Sequence, residues 1–234
     1  MNTTSRTYNE QAFDKIFREK EHINYSKVTG KMGWRDKKVV KHLLEHGVKD
    51  KYCLDVGPGT GRWLQFLKDN GAAYLGAIDI SRESLNRCSH LCNKVQKANV
   101  ETDRFDFKDN FFDVVVSFMI LEHLRDPGNY ISEIIRVVKK GGLILMTIPN
   151  IASFLSRIRL LLGILPAAVS SDNTHVRFYT KRELITLFKP FDLIPEMIPT
   201  SFSINPFNSK RLKIPSNKLT CSLDDHLLFR IYIN

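Results

Sequence analysis

At 234 residues, 43% hydrophobic and 26% charged, the chain has the length for one main core and the balance of an ordinary globular protein. Its apolar runs fall short of the roughly 18 residues a membrane span needs, and its polar beginning, MNTTSRTYNEQAFDKIF, has no secretory h-region, so a cytoplasmic protein is expected. The formal charge of +10 sits outside the middle of the chain: residues 52–149 carry 12 basic and 12 acidic side chains, residues 1–51 carry 12 against 7, and residues 150–189 carry 6 against 2.

Such basic flanks suit an anionic acceptor or a membrane surface, or amount to no more than a solvated face. In chain order, the first periodic segment is residues 36–46, where Val39, Val40, Leu43 and Leu44 share a helical face. From Tyr52 onward, short apolar runs alternate with helical segments, the signature of a largely parallel sheet with crossover helices. Strands are expected at 52–56, 74–79, 95–98, 112–117 and 143–148, and helices at 62–68, 82–91 and 129–138. Ser81 is the N-cap candidate of the second of these helices, and Gly141-Gly142 the stop of the third.

The turn after the first strand carries the strongest chemical signal: Leu54-Asp55-Val56-Gly57-Pro58-Gly59-Thr60-Gly61-Arg62. Backbone N–H groups and the positive end of a helix come close to a ligand there, at an approach that side chains larger than hydrogen would block. A dinucleotide fingerprint would need its last glycine at position 62, where Arg62 stands. The G-x-G-x-G spacing, with Asp55 two residues ahead, fits instead a ligand without a pyrophosphate and with an amino-acid end, whose ammonium Asp55 can meet directly or through water. Asp79, at the end of the second strand, can accept from both ribose hydroxyls of a nucleoside.

Cys53, Cys88, Cys92 and Cys221 have neither the paired short spacings of a zinc site nor the density of a disulfide scaffold, and read as buried or idle thiols. Beyond the core, residues 151–162 form an apolar helical stretch carrying Arg157 and Arg159. Its apolar face either closes over the core as a lid or projects toward a greasy acceptor or membrane interface. Thr180-Lys181-Arg182-Glu183 has the pattern of a capping box, residues 191–198 and 227–233 are candidate strands, and residues 200–217 read as loop.

The segments LDVGPGTG, AIDIS, Asn99-Val100-Glu101, FDFKDNFFDVVVSFMILEHL, EIIRVVKKGG and LILMTIPN together resemble the class I S-adenosylmethionine (SAM)-dependent methyltransferases. Within them the likeness is to the broad type 11 group that includes ubiquinone-biosynthesis and sugar methyltransferases, and it covers roughly residues 36–190. The resemblance implies an α/β, Rossmann-like, seven-stranded and mostly parallel sheet with helices on both faces, and a last antiparallel strand inserted near the edge. It implies a single domain: an N-terminal helical region at 1–51, a SAM-binding core at 52–149, and an acceptor cover with C-terminal strands at 150–234.

Carried over by residue, the turn of Gly57, Pro58, Gly59 and Gly61 would pack on the methionine part of SAM. Asp79 would hold the ribose, Ile80 would lie against the adenine, Asn99 would accept from its amino group where many relatives have aspartate, and Val100 would belong to the same cofactor site. Ser117 matches a position beside the methionine portion, with Phe118 and Met119 lining the pocket next to it. Glu122-His123 matches part of a Glu-x-x-Glu-His metal arrangement of some quinone O-methyltransferases, but Met119 stands at the first position, so no metal is expected. His123 and His175 are the candidate general bases, His175 within a stretch similar to the family's His-x-Arg-x-Tyr/Phe-Thr. The expected reaction is O-methylation of a small, sugar or lipid-linked acceptor, with RNA methylation or a non-catalytic SAM-binding role as alternatives. Against the first alternative, no Asn/Asp-Pro-Pro-Tyr motif follows the fourth strand, where Ser117-Phe118-Met119-Ile120 stands.

Overall fold

The computed structural model describes residues 10–15, 33–170, 174–204 and 213–233. Nine strands are found among them: β1 (Tyr52–Val56), β2 (Tyr74–Asp79), β3 (Lys94–Lys97), β4 (Phe112–Phe118), β5 (Val138–Pro149), β6 (Glu196–Ile198), β7 (Ser201–Ser203), β8 (Lys213–Pro215) and β9 (His226–Tyr232). Seven form one sheet in the order β3-β2-β1-β4-β5-β9-β6. The pairs among β1 to β5 are parallel, and β9 runs antiparallel to both β5 and β6. This is the seven-stranded, mostly parallel architecture expected, with the late strand inserted near the edge.

Burial on two faces explains the apolar runs. Successive residues of β1 alternate between two cores: Cys53 faces one with Val114, Val116 and Leu145, and Leu54 faces the other with Val115, Ile144 and Phe229. Helices α1 (Trp34–His46), α2 (Arg62–Asp69) and α3 (Arg82–Cys88) cover the first face through Val39, Leu43, Leu64 and Leu85. Helix α4 (Gly128–Val137) covers the second through Tyr130, Ile131 and Ile134. Each fully buried aliphatic side chain here contributes about 1.5–3 kcal/mol by its removal from water. All four cysteines are free thiols, three of them buried.

Several boundaries differ from the sequence reading. The helix expected at 129–138 ends at Val137, and Val138 already opens β5, so the Gly141-Gly142 pair does not stop a helix. The register jumps from Phe112 opposite Val138 to Val114 opposite Leu143, which makes the glycines part of a bulge. A side chain at Gly142 would meet Val138 Cγ1 at 2.6 Å, so only glycine fits the bend. The helix expected at 82–91 ends at Cys88 and continues as a short 3-10 turn to Leu91.

The helix expected at 151–162 is α5 (Phe154–Leu161), because Asn150 Oδ1 first accepts from Ala152 N and Ser153 then caps through its hydroxyl. After it come α6 (Ala167–Ser170) and α7 (Lys181–Phe188), the latter with its full capping box. The strand expected at 191–198 is reduced to β6, since Asp192 turns left-handed at φ 54°. Within the stretch read as loop, β7 and β8 pair antiparallel, while residues 205–212 lie outside the described residues. These three-residue strands carry one central apolar residue each, Phe202 and Ile214, too short a pattern to mark a strand. They are fixed from outside: Asp225 accepts from Ser203 N and Oγ, and Asp224 from Thr200 and Ser216. Much of the helical region expected over residues 1–51 falls outside the described residues.

Candidate active site

The carboxyl ends of parallel strands face one side of the sheet, and a cavity of about 310 Å³ opens there between the ends of β1, β2 and β4. Gly57, Gly59 and Gly61 hold left-handed φ values of 78°, 55° and 76°, a turn that β-carbons would strain. A side chain at Gly57 would collide with Ile120 across the cavity wall, and one at Gly61 would meet Cys88 Cβ at 2.7 Å. Gly57 and Gly59 line the cavity; Pro58 and Gly61 shape the turn from behind, with Gly61 N donating to Pro58 O.

Asp79 closes β2 and lines the cavity. Its Oδ1 accepts from Ser81 N at 2.8 Å and its Oδ2 from Ser84 Oγ at 2.6 Å, which leaves lone pairs for two further donors. Burial first holds its carboxyl above the usual range, while the bond from Ser84 works the other way. The Ser84 hydroxyl also lies 3.1 Å from Gly59 O, so one helix residue ties the carboxylate to the glycine turn. Asp55, buried behind the turn, has an Oδ2 with no hydrogen-bond partner among the described residues.

Ile80, Asn99, Val100, Phe118 and Met119 line the same cavity. Asn99 Oδ1 accepts from Glu101 N at 3.1 Å, which fixes its carboxamide and leaves a second lone pair. Ser117 departs from expectation: it is buried away from the cavity, donating to Val56 O at 3.0 Å and accepting from Tyr130 Oη at 2.6 Å. Its hydroxyl joins β4 to β1 and α4. Met119 has a left-handed φ of 63°, costly for a side chain with a β-carbon, and its N donates to Thr147 O. This bend swings the chain from β4 across the cavity into the turn Leu121–His123.

That turn brings the histidines together. His123 lines the cavity, and its ring centroid lies 4.9 Å from that of His175. Val176 N and Arg177 N both donate to Glu122 O, clamping the segment around His175 onto the turn. His175 Nδ1 lies 2.8 Å from Ala168 O, and a carbonyl only accepts, so Nδ1 carries the proton and Nε2 is the basic nitrogen. His123 Nδ1 lies 3.2 Å from Thr174 O and 3.1 Å from the Thr174 hydroxyl, which can donate to it or accept from it. Glu122, His123 and His175 offer ligand atoms within 4.8 Å of one another. Two of these donors were visible in sequence; the fold supplies the third, and the set is compact enough for a divalent cation.

Two wall elements were not anticipated. Phe13, in the helical segment 10–15, lines the cavity and stands edge-on to His123 at 5.1 Å. Ser81 Oγ donates to Asp14, and Lys97 pairs with Glu10, which fasten this segment across the ends of β2 and β3. Glu101 lines the opposite side, its carboxylate accepting from Arg125 N and Asp126 N. Phe13 lies some forty residues before the glycine turn, with no motif to mark it; Glu101 was quoted only as part of a matching block.

Comparison with known proteins bears on this arrangement. A model of the methyltransferase domain matches residues 32–194. A "Probable S-adenosylmethionine-dependent methyltransferase" of Mycolicibacterium smegmatis is 27% identical over 121 residues, 52% of this chain and 47% of that protein. A ubiquinone biosynthesis O-methyltransferase of Colwellia psychrerythraea is 30% identical over 149 residues, 60% of each chain. A tRNA (carboxymethyluridine(34)-5-O)-methyltransferase of Arabidopsis thaliana is 31% identical over 112 residues, 47% of this chain and 26% of that one. The chain thus spans about half, or less, of the length of most of these relatives. Among solved structures, a SAM-dependent methyltransferase of Thermotoga maritima, described as a possible histamine N-methyltransferase, superposes with a TM-score of 0.66 at 18% identity, covering 96% of this chain and 99% of that one. Magnesium protoporphyrin IX methyltransferase of Synechocystis, solved with bound SAH, gives a TM-score of 0.64 at 11% identity over 97% and 99% of the two chains. At these identities the structures show a shared fold.

Proposed function

Because this chain belongs to the methyltransferase-domain family of SAM-dependent proteins, we propose that it transfers the methyl group of SAM to a hydroxyl oxygen of a small, sugar or lipid-linked acceptor. The observation that carries this reading is the single cavity whose wall joins the glycine turn and Asp79 to His123, with His175 packed against that histidine. The residues fit the cofactor. The turn at Gly57 and Gly59 receives its amino-acid end, the unpartnered Asp55 Oδ2 answers its ammonium, and Asp79 accepts from its ribose. Asn99, Ile80 and Val100 take the adenine side, and Phe118 and Met119 the methionine side.

Bound SAM supplies a sulfonium methyl that leaves readily. What the chain adds is placement and a proton acceptor. His123 reaches the cavity, where its imidazole takes the hydroxyl proton. His175, its Nδ1 donating to Ala168 O, stands beside it and is the second candidate for that role. Phe13 stands edge-on to His123 and forms part of the same wall.

The test is transfer of labelled methyl from SAM to a panel of phenolic, sugar and lipid-linked sugar hydroxyls, with unmodified tRNA alongside. Labelled product in a hydroxyl class supports the reading. Label only in tRNA, or SAM binding without turnover on any acceptor, would replace it with an RNA-directed or non-catalytic role.

A further inference from the structure

Helix α5 is half buried and half bare. Its first turn is anchored by the Ser153 cap, by buried Leu155 and by Phe154 against Phe202 at 5.5 Å. Its far end and the following turn expose Leu160, Leu161, Leu162, Ile164 and Leu165 at 54%, 86%, 52%, 40% and 58% of their surfaces. Fraying does not account for this. Gly163 turns left-handed at φ 69°, Gly163 N donates to Leu160 O, Ile164 N to Arg159 O, and Arg159 Nε to Leu165 O at 2.9 Å. The turn is therefore held by these internal bonds while five aliphatic side chains face outward. A run of this kind is rare on a water-facing surface and marks a docking element.

Charge identifies what it docks on. One turn before Leu161, on the same face of α5, Arg157 is exposed, and it borders a shallow groove with Lys181 and Arg182 whose lining includes no carboxylate. Arg177 is exposed on the neighbouring segment. Aliphatic residues at the tip with guanidinium and ammonium groups at its root match the order of an anionic bilayer, hydrocarbon below and phosphate above.

We propose that the Leu160–Leu165 tip inserts into the interface of a membrane rich in anionic lipid, with Arg157, Lys181 and Arg182 on the lipid phosphates. A folded protein partner would ask for a defined concave complement. A bilayer asks only for protruding aliphatic groups and nearby cations, which is what this face offers. Docking there also orients the site: Ala168, three residues past the tip, accepts from His175 Nδ1. The acceptor side of the cavity is thereby tied to the membrane-facing element. The inference goes beyond the methyl-transfer reading and does not depend on the acceptor's identity.

The test is cosedimentation of the full chain with vesicles of phosphatidylcholine, with and without phosphatidylglycerol, at low and high salt. Binding to the anionic vesicles and release by salt are expected. Leu161→Asp with Leu162→Asp should abolish binding. Arg157→Gln with Arg182→Gln should weaken it by about fivefold per cation. SAM binding by calorimetry should be unchanged in both variants, which separates a lost surface from a lost fold or a failed cofactor assignment. No sedimentation of a SAM-binding protein at low salt would overturn the proposal. So would a concentration-dependent dimer that Leu161→Asp disrupts while vesicles bind neither form.

Discussion

Asp55 is buried beside Asp79, and burial first and that neighbouring charge second hold its carboxyl well above the usual carboxylate range. A carboxyl raised in the folded state costs stability as pH climbs from its unfolded value through its folded one. Near neutrality, therefore, Asp55 is retained at a cost. Asp55→Asn keeps the shape and removes the charge, so it should raise the Tm of the ligand-free protein near neutral pH, an advantage that shrinks as pH is lowered. The same variant should bind SAM more weakly. Thermal unfolding with and without SAM reads both effects, and a variant that lost stability while keeping full affinity would contradict the role given to Asp55.

Asp79 makes the complementary case. Its bonds from Ser81 N and Ser84 Oγ hold the carboxylate in place without ligand, so Asp79→Ala should lower stability by about 1–3 kcal/mol, and its affinity is to be read at a temperature where circular dichroism shows it folded. Loss of the bonds to the ribose should reduce SAM affinity by roughly tenfold or more, from about 1.5–3 kcal/mol per charged hydrogen bond. Unchanged affinity by calorimetry in a folded variant would refute the ribose assignment.

The histidine pair gives a two-part expectation. His123→Ala should lower turnover by about 100-fold or more with SAM affinity nearly unchanged, as removal of a general base does; His175→Ala serves as the parallel test. Because this mechanism runs without a metal, activity should persist in EDTA. If a chelator instead removes it and manganese or magnesium restores it, Glu122, His123 and His175 are ligands first.

Phe13 tests the cavity wall. Phe13→Ala removes an aromatic edge from His123 and part of the cover. The dissociation rate of SAM should rise by roughly tenfold, the worth of one aromatic contact and its buried area. Stopped-flow release that is unaltered would mean that the segment 10–15 does not confine the ligand.

Stability toward acid follows from His226 on β9. Burial, then the charge of Arg35, depress its imidazole to about 4. Between about pH 6.5 and pH 4 the unfolded chain binds a proton the folded chain refuses, so stability is full above that window and falls as pH drops through it. His42 and His46 are lowered too, each by burial first, and add with the same sign. Urea midpoints between pH 7 and pH 5 should fall, and His226→Gln should flatten the slope. An unchanged slope would remove His226 from the account.

Local signals carried most of the fold. β1, β4 and β5 were legible because burial on both faces demands continuous apolar residues, and Ser81 and Thr180 announced their helices because caps are chemistry between near neighbours. The misread pieces depend on distant partners. Gly141-Gly142 reads as a helix stop until Phe112 and Val114 impose a bulge, and Ser117 reads as a ligand contact until Tyr130 claims its hydroxyl. Likewise His175 and the Glu122-His123 pair, more than fifty residues apart, were separate signals; hydrogen bonds to a backbone carbonyl at Glu122 unite them.

The position of β9 has a consequence for the birth of the molecule. It lies between β5 and β6, although seventy-odd residues separate Pro149 from His226 along the chain. Until residues 226–232 arrive, β5 keeps an open edge from Leu143 to Pro149, and β6 lacks the strand it pairs with. Pairing across such a separation is slow to form, and unpaired apolar edges recruit other chains. Synthesis on the ribosome therefore passes through a species with most of its sheet assembled and one seam unsealed. Chaperone demand, and the fate of nicked or stalled chains, should be governed by that seam.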